Sequence, residues 1–418
     1  MKSRFLFSLI FCLTMIVMGG SGSCGSPVTL MPAKGVPAKG VEACQPGRAV
    51  FLVASDPGVV QWQGATANLE SAIKAANEVN GEVWVAQGTY LNPNVSLRKN
   101  TLLIYGGFTG KESKCTERPK DDSAFAKTVW RGGGIRLFDD LEKVEINGFS
   151  FDKMEISSSS RQPWMMVNSI LNGVDFISFD SEVDIMNCLF TNLKEIKIHG
   201  GGKITDSQFF NNEATRYLIS LNQSSLEMDN VVLEGNKASS LIGGYKMVTI
   251  KNSLLRNNKV EFYLSWAYTH FINTVISGNT MVRFGEDESV LVNVTAVANQ
   301  ISAKSSVVLG YTIINSILWE NKFEFDDRSE IYNPYNTAFV YYSNLQYLNR
   351  GLRSQHPFGD KNIDADPQFV DFENGDYRLQ ATSLCLGAGI SNFKGFVIPD
   401  ANQEGTPWPK KNPNMGAY

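Results

Sequence analysis

A polar residue, most often Asn, returns through the middle of this chain at nearly constant spacing, and that return constrains the fold more than any other feature. It stands at Asn147, Asn168, Asn187, Asp206, Asn230, Asn252, Asn273, Asn293 and Asn315, at intervals of 19 to 24 residues. A fixed period of this size marks a solenoid, whose units bury their apolar faces only against their neighbours. Two residues before the repeat position stand Met166, Ile185, Ile204, Met228, Ile250, Phe271, Leu291 and Ile313. Three residues after it stand Leu171, Phe190, Phe209, Leu233, Leu255, Ile276, Ala296 and Leu318. Both columns are apolar throughout, and the residues around the first alternate as a strand requires.

Asn tolerates the left-handed backbone region better than most residues with a side chain. One Asn between two short strands therefore bends the chain sharply without a hairpin. From Asp206 onward a second Asn follows six positions later, at Asn212, Asn236, Asn258, Asn279, Asn299 and Asn321. Stacked units bring like side chains about 4.8 Å apart, where amide ladders form. The expectation is an all-β parallel β-helix. A leucine-rich repeat has a similar period but needs Leu at several fixed positions; here β-branched residues, Phe and Met share the core.

The chain has 418 residues and a net charge of −4, enough length for a large core and no basic excess for nucleic acid. Lys2 and Arg4 followed by apolar Phe5 to Met18 have the form of an export signal, too short to span a bilayer comfortably. Small residues then run to Cys24. That junction resembles the lipobox of bacterial lipoproteins, with Ser21 where the box usually has Leu. The resemblance implies lipidation of Cys24 and attachment at the cell surface or outer membrane; simple cleavage and secretion is the alternative. The duplicated segment 32–41, rich in Pro and Gly, suits a tether. Six Cys are too few for a disulfide scaffold of this size. Cys44 and Cys115 flank the expected cap and are candidates to pair in an oxidising compartment. Cys188 replaces the Ser or Thr of other repeats and reads as a buried small side chain. His199, His270 and His356 share no ligand spacing, so no metal site is indicated.

The segment 68–79 reads as an amphipathic helix with Leu69, Ala72, Ile73, Ala76 and Val79 on one face and Asn80-Gly81 as its stop. A solenoid end exposes open core and strand edges, which such a helix would cap. The expected organisation is signal 1–23, tether 24–45, cap and first coils 46–130, repeats 131–350 and closing segment 351–418.

Residues 81–90, with Gly88-Thr-Tyr90, and residues 104–110, with Gly106-Gly-Phe108, resemble the opening of extracellular bacterial right-handed β-helix proteins of the pectate-lyase-like superfamily. Residues 364–371, residues 374–379 and the terminal Met415 to Tyr418 resemble that group's closing segment. The resemblance covers roughly Val50 to the C-terminus and implies a right-handed parallel β-helix. The group includes lyases, hydrolases and adhesins, so fold alone does not decide function.

A lyase of this kind needs a Lys or Arg as base and a Ca²⁺ ion or Arg on the substrate carboxylate. A hydrolase needs two carboxylic groups across the scissile bond. The apolar columns turn positions one, three and five before the lead residue outward. Glu182 and Asp184 then lie under Lys203, with Glu227, Asp229 and Lys251 beyond. This is a candidate lyase site, with Ca²⁺ entering only under that reading and no other cofactor implied. It is also what any solvated sheet face looks like when opposite charges stack, and that is the favoured reading. Further along stand Tyr268 and His270, with Trp266 at the adjoining turn and Glu286 and Glu288 one repeat later, a candidate glycan-binding cluster. The motif set of polygalacturonase-like hydrolases is missing: Asp139-Asp140 and Asp326-Asp327 lack its companions, and residues 199–202 read as a turn. The acidic run Asp364, Asp366, Asp371 and Asp376 is not spaced as a Ca²⁺ loop and reads as turns. The partner is expected to be a polysaccharide or another surface macromolecule, bound without catalysis. A lyase or hydrolase of acidic glycans is the alternative, and a plain structural spacer or adhesin is a third.

Overall fold

The structure is a computed structural model that describes residues 48, 50–62, 65–119, 126–265, 268–281, 289–301, 312–323, 339–346, 359–393, 395–408 and 412–418. The expected signal, Cys24, the tether and Cys44 lie outside the described residues, as do Trp266, Glu286 and Glu288. The chain divides into two compact units, one ending at Asn172 and one beginning at Gly173. Both are parallel β-solenoids.

In the first unit, Val50–Val53, Glu82–Ala86, Asn94–Phe108, Gly134–Asn147 and Trp164–Val167 stack as parallel strands. Gly88–Leu91, Thr128–Arg131, Ser150–Asp152 and Ile170–Asn172 form a second parallel stack. The helix expected at 68–79 spans Leu69–Glu78, and Asn68 caps it by accepting from the Ser71 N–H at 2.9 Å. Leu69, Ala72, Ile73 and Ala76 are buried. Val79 is exposed instead, because the helix has ended before its turn to face inward. The buried Asn77 side chain donates to the carbonyls of Lys99 and Thr101, tying the helix to a strand.

In the second unit each full coil contributes three short strands, for example Val248–Lys251, Leu254–Arg256 and Lys259–Ser265. Each pairs in parallel with its equivalent one coil on. The two apolar columns form the core, and every member beyond Asn172 is at most 1% exposed. The lead residues Asn187, Asp206, Asn230, Asn252, Asn273, Asn293 and Asn315 all have φ between 48° and 55°. The bend is therefore made by the left-handed residue that the repeat supplies. At Asn147 of the first unit the left-handed position passes instead to Gly148, at φ 85°.

The Asn residues six positions on form a buried ladder. Nδ2 of Asn212, Asn236, Asn258, Asn279 and Asn299 donates to Oδ1 of the next Asn at 2.8 to 3.1 Å. Each also donates to a carbonyl of the preceding coil, as Asn258 does to Leu233 at 2.9 Å. Their own backbone N–H groups donate to the next Oδ1, as Asn236 does to Asn258 at 2.9 Å. Each amide thus meets the hydrogen-bonding needs of a bend that no water reaches. A second left-handed position lies one residue before this ladder, at Asn211, Gly235, Asn257, Gly278, Ala298 and Glu320. The repeat pattern does not reveal it, because its residue types vary. A Cβ on Gly235 would come within 2.2 Å of Asn211 Oδ1, and one on Gly278 within 2.6 Å of Asn257 Oδ1.

From Val290 on the first strands, and from Val275 on the second, outward positions become apolar, and part of this surface is covered. Val290, Val292 and Ile314 pack against Phe393, joined by Ile390, Phe396 and Ile398. Val275, Val297 and Ile317 pack against Phe369, Tyr377, Met415 and Ala417. A tail rich in Pro and Asn would be expected to drape over the last coil as a plug. It runs back along the corner of the lead residues instead. Asn315 Nδ2 donates to the Ile390 carbonyl at 2.8 Å, Asn293 Nδ2 to that of Gly416 at 3.2 Å, and Asn273 Nδ2 to that of Ala401 at 3.2 Å. Gln403 Nε2 reaches the Ser253 carbonyl at 2.6 Å. The acidic run makes turns as expected: Asp366 accepts from the Gln368 N–H and Asp371 from the Asn374 N–H.

Candidate functional site

Outward positions on the first strand of each coil stand in register on neighbouring coils. The column three before the lead residue runs Asp184, Lys203, Glu227, Thr249, His270, each paired with the next. The column one before it runs Met186, Thr205, Asp229, Lys251, Ile272. The column five before it contains Glu182, Gly201, Ser225, Met247 and Tyr268. From Gly201 on, their carbonyls accept from the first strand residue of the coil before: Val183 N–H to Gly201, Gly202 N–H to Ser225, Leu226 N–H to Met247 and Val248 N–H to Tyr268. Five coils at strand spacing give a face about 19 Å long.

The sequence placed Asp184 under Lys203, and the register agrees. The ion pair formed is a different one. Lys203 Nζ lies 3.6 Å from Glu227 Oε1, and Lys251 Nζ lies 2.8 Å from the same oxygen. The hydrogen bond from Lys251 holds the Glu227 carboxyl below its ordinary value, against a smaller opposing effect of burial. Glu182 and Asp184 are exposed. Among the described residues, no group of three or more His, Cys, Asp or Glu side chains is arranged to hold a metal ion.

At the other end of the face, Tyr268 is 48% exposed, Met247 beside it 44%, and Tyr245 64%. These three are large apolar groups left in water on adjacent coils. Sequence reasoning found Tyr268 and missed Met247, which holds the equivalent outward position one coil earlier, and Tyr245, which lies two residues before Met247 outside the repeat positions. His270 is half-buried, and burial lowers its pKa below the ordinary 6.5, so the imidazole is neutral at pH 7. Thr249 lies beside it. The patch thus offers apolar surface, a hydroxyl and an imidazole, a suitable surface for the C–H faces and hydroxyls of a sugar. Elsewhere in this unit, His199 Nδ1 lies 2.9 Å from Asp180 Oδ1 in an exposed pair, and Gly201 and Gly202 make the expected turn at positive φ. Cys188 is buried, its Sγ 3.3 Å from the Met186 carbonyl.

The first unit holds a buried polar group of its own. Arg118 donates to Asn147 Oδ1 at 2.7 Å, and its guanidinium lies 5.7 Å from the Phe108 ring centre. Burial pulls its pKa down to about 10. Burial, then the charge of Glu145, pushes the Tyr105 hydroxyl up. Lys143 Nζ lies 3.4 Å from Glu145. Trp62, Trp84, Phe108 and Cys115 pack around this group. Its residues fasten segment 109–118 to the sheet. Cys115 is disulfide-bonded; Cys44, its expected partner, lies outside the described residues.

No protein-family model matches the chain, and no curated protein matches it. Among solved structures, the chain is similar to pectate lyase Pel9A, with a TM-score of 0.43 and 12% identity over 89% of this chain and 97% of that one. It is also similar to the tailspike protein of Acinetobacter phage vB_ApiP_P1, with a TM-score of 0.35 and 10% identity over 68% of this chain and 61% of that one. The parallel β-solenoid assigned above stands on the strand register of the chain itself.

Proposed function

We propose that the chain binds polysaccharide along this outer face without catalysing its cleavage. The observation that carries the reading is the exposed row Tyr245, Met247 and Tyr268 beside the neutral Thr249 and His270. Thr249 and His270 lie on strands, and Met247 and Tyr268 immediately precede them. The lyase reading through Lys203, Asp184 and Glu182 has a weaker footing, since Lys203 is turned to Glu227 rather than presented free. Retention of the protein on a panel of immobilised glycans tests the proposal. Retention lost in Tyr268→Ala and Met247→Ala supports it. Unchanged retention in both moves the binding elsewhere. An ultraviolet assay on uronate polysaccharides with and without Ca²⁺ tests the rival, and a Ca²⁺-dependent rise abolished in Lys203→Ala would establish the lyase.

The same proposal includes export and a lipid anchor at Cys24, supported by Lys2, Arg4, the apolar run to Met18 and the small residues before Cys24. Metabolic labelling with a clickable fatty acid tests it: label is expected on the wild type and none on Cys24→Ser.

A further inference from the structure

We infer that the ligand of this face is an uncharged polysaccharide, not a polyuronate. The inference rests on the glycan-binding reading above and narrows its substrate class. Four carboxylates, Glu182, Asp184, Glu227 and Asp229, share the face with Lys203 and Lys251, and the exposed Lys246 between Tyr245 and Met247 is a third ammonium group, which leaves the face at −1. Lys203 and Lys251 converge on a single oxygen, Glu227 Oε1, at 3.6 and 2.8 Å. Neither can serve a ligand carboxylate without giving up that contact. Asp229 is also engaged, accepting from Asn252 Nδ2 at 2.7 Å. A polyuronate carries an acid on each sugar and would meet Glu182 and Asp184 with no cation released to offset them. The whole chain, at −4, adds no attraction at longer range.

The two coils that carry the exposed apolar groups point the same way. Beside Met247 and Tyr268 the central column holds Thr249 and His270, with no formal charge at pH 7. A hydroxyl and an imidazole can each donate and accept, which matches the hydroxyls of a sugar. The carboxylates toward Asp184 can accept from further hydroxyls along an extended chain, a role that suits a neutral glycan and penalises an acidic one.

Affinity gel electrophoresis of the full-length protein tests this, with galactomannan, xyloglucan and mixed-linkage glucan as neutral probes and polygalacturonate and alginate as acidic ones. Low ionic strength is the right condition, because charge effects are largest there. The expected result is retardation by at least one neutral polymer and by neither acidic one, with affinity about tenfold weaker or more in Tyr268→Ala. The double variant Glu182→Lys and Asp184→Lys is expected to gain salt-sensitive retardation by polygalacturonate. Wild-type retardation by polygalacturonate or alginate equal to that by the neutral polymers would overturn the substrate class while leaving the glycan-binding reading in place. No retardation by any of the five would overturn that reading, and this inference with it.

Discussion

Two stacks of polar side chains climb the second unit at the same spacing, and burial separates them. The inner stack, Asn212 to Asn321, is at most 5% exposed, and its amides bond to one another and to backbone groups. The outer stack, Asp184, Lys203 and Glu227 with Lys251, sits in water, its charges one third to one half exposed where they pair. Identical periodicity in the sequence therefore yields a structural spine in one case and an adaptable surface in the other. Away from water an unmet polar group has no substitute partner, so each amide of the inner stack is worth more than each formal charge of the outer one.

The largest test of that contrast is Asn258→Ala. It strips partners from the Leu233 carbonyl and from both the N–H and Nδ2 of Asn236, and removes one of two donors from Asn279 Oδ1. Several buried groups left unmet predict a loss of about 4 kcal/mol in urea unfolding. A loss below about 1 kcal/mol would show that the ladder contributes no more than an exposed polar pair does. Next in size is Phe393→Ala, which uncovers Val290, Val292 and Ile314 and is expected to cost about 3 kcal/mol. Tyr268→Ala, on the open part of the same face, is expected to change stability by no more than about 0.5 kcal/mol. Equal losses from these two would erase the distinction between covered and open coils.

A smaller effect of opposite sign is expected at Ala298. Its φ of 53° is a left-handed conformation that costs an L-residue about 1 kcal/mol. Gly removes that strain but loses more entropy on folding, so Ala298→Gly is expected to stabilise by about 0.5 kcal/mol. A destabilisation would mean that the Ala methyl packs usefully against its neighbours.

The inner stack was legible in the sequence because burial imposes strict residue types. Six Asn at one phase, and two columns with no polar member, leave one consistent arrangement. The corner was legible for the same reason, since few residues other than Asn, Asp and Gly accept the left-handed bend. The second bend was not legible, because Asn211, Gly235, Ala298 and Glu320 share a conformation but no chemistry. The path of the tail was hidden because its anchors, Asn273, Asn293 and Asn315, were already accounted for as bend residues. The outer face was only half legible. Register placed Asp184, Lys203 and Glu227 correctly, but a long Lys side chain chooses between two carboxylates at almost no cost. Nothing in the sequence decides that Lys203 turns to Glu227.

That freedom is what the smallest prediction measures. Glu227 is held below its ordinary 4.5, first by the hydrogen bond from Lys251. Its folded pKa is thus depressed, so its contribution to stability is fully present above about pH 4.5 and disappears as the pH falls through the lower folded value. The side chain is more than a third exposed, and solvent screening keeps the contribution below about 1 kcal/mol. Glu227→Gln is therefore expected to lower stability slightly at pH 7 and to match the wild type once the pH is below that window. Raising the salt to about 0.5 M, where the screening length falls below about 5 Å, should shrink the pH 7 difference further. Stability measured by urea unfolding across pH and salt checks each expectation. A difference that exceeds about 2 kcal/mol and ignores salt, as the breaking of a buried pair would, would place Glu227 with the inner stack.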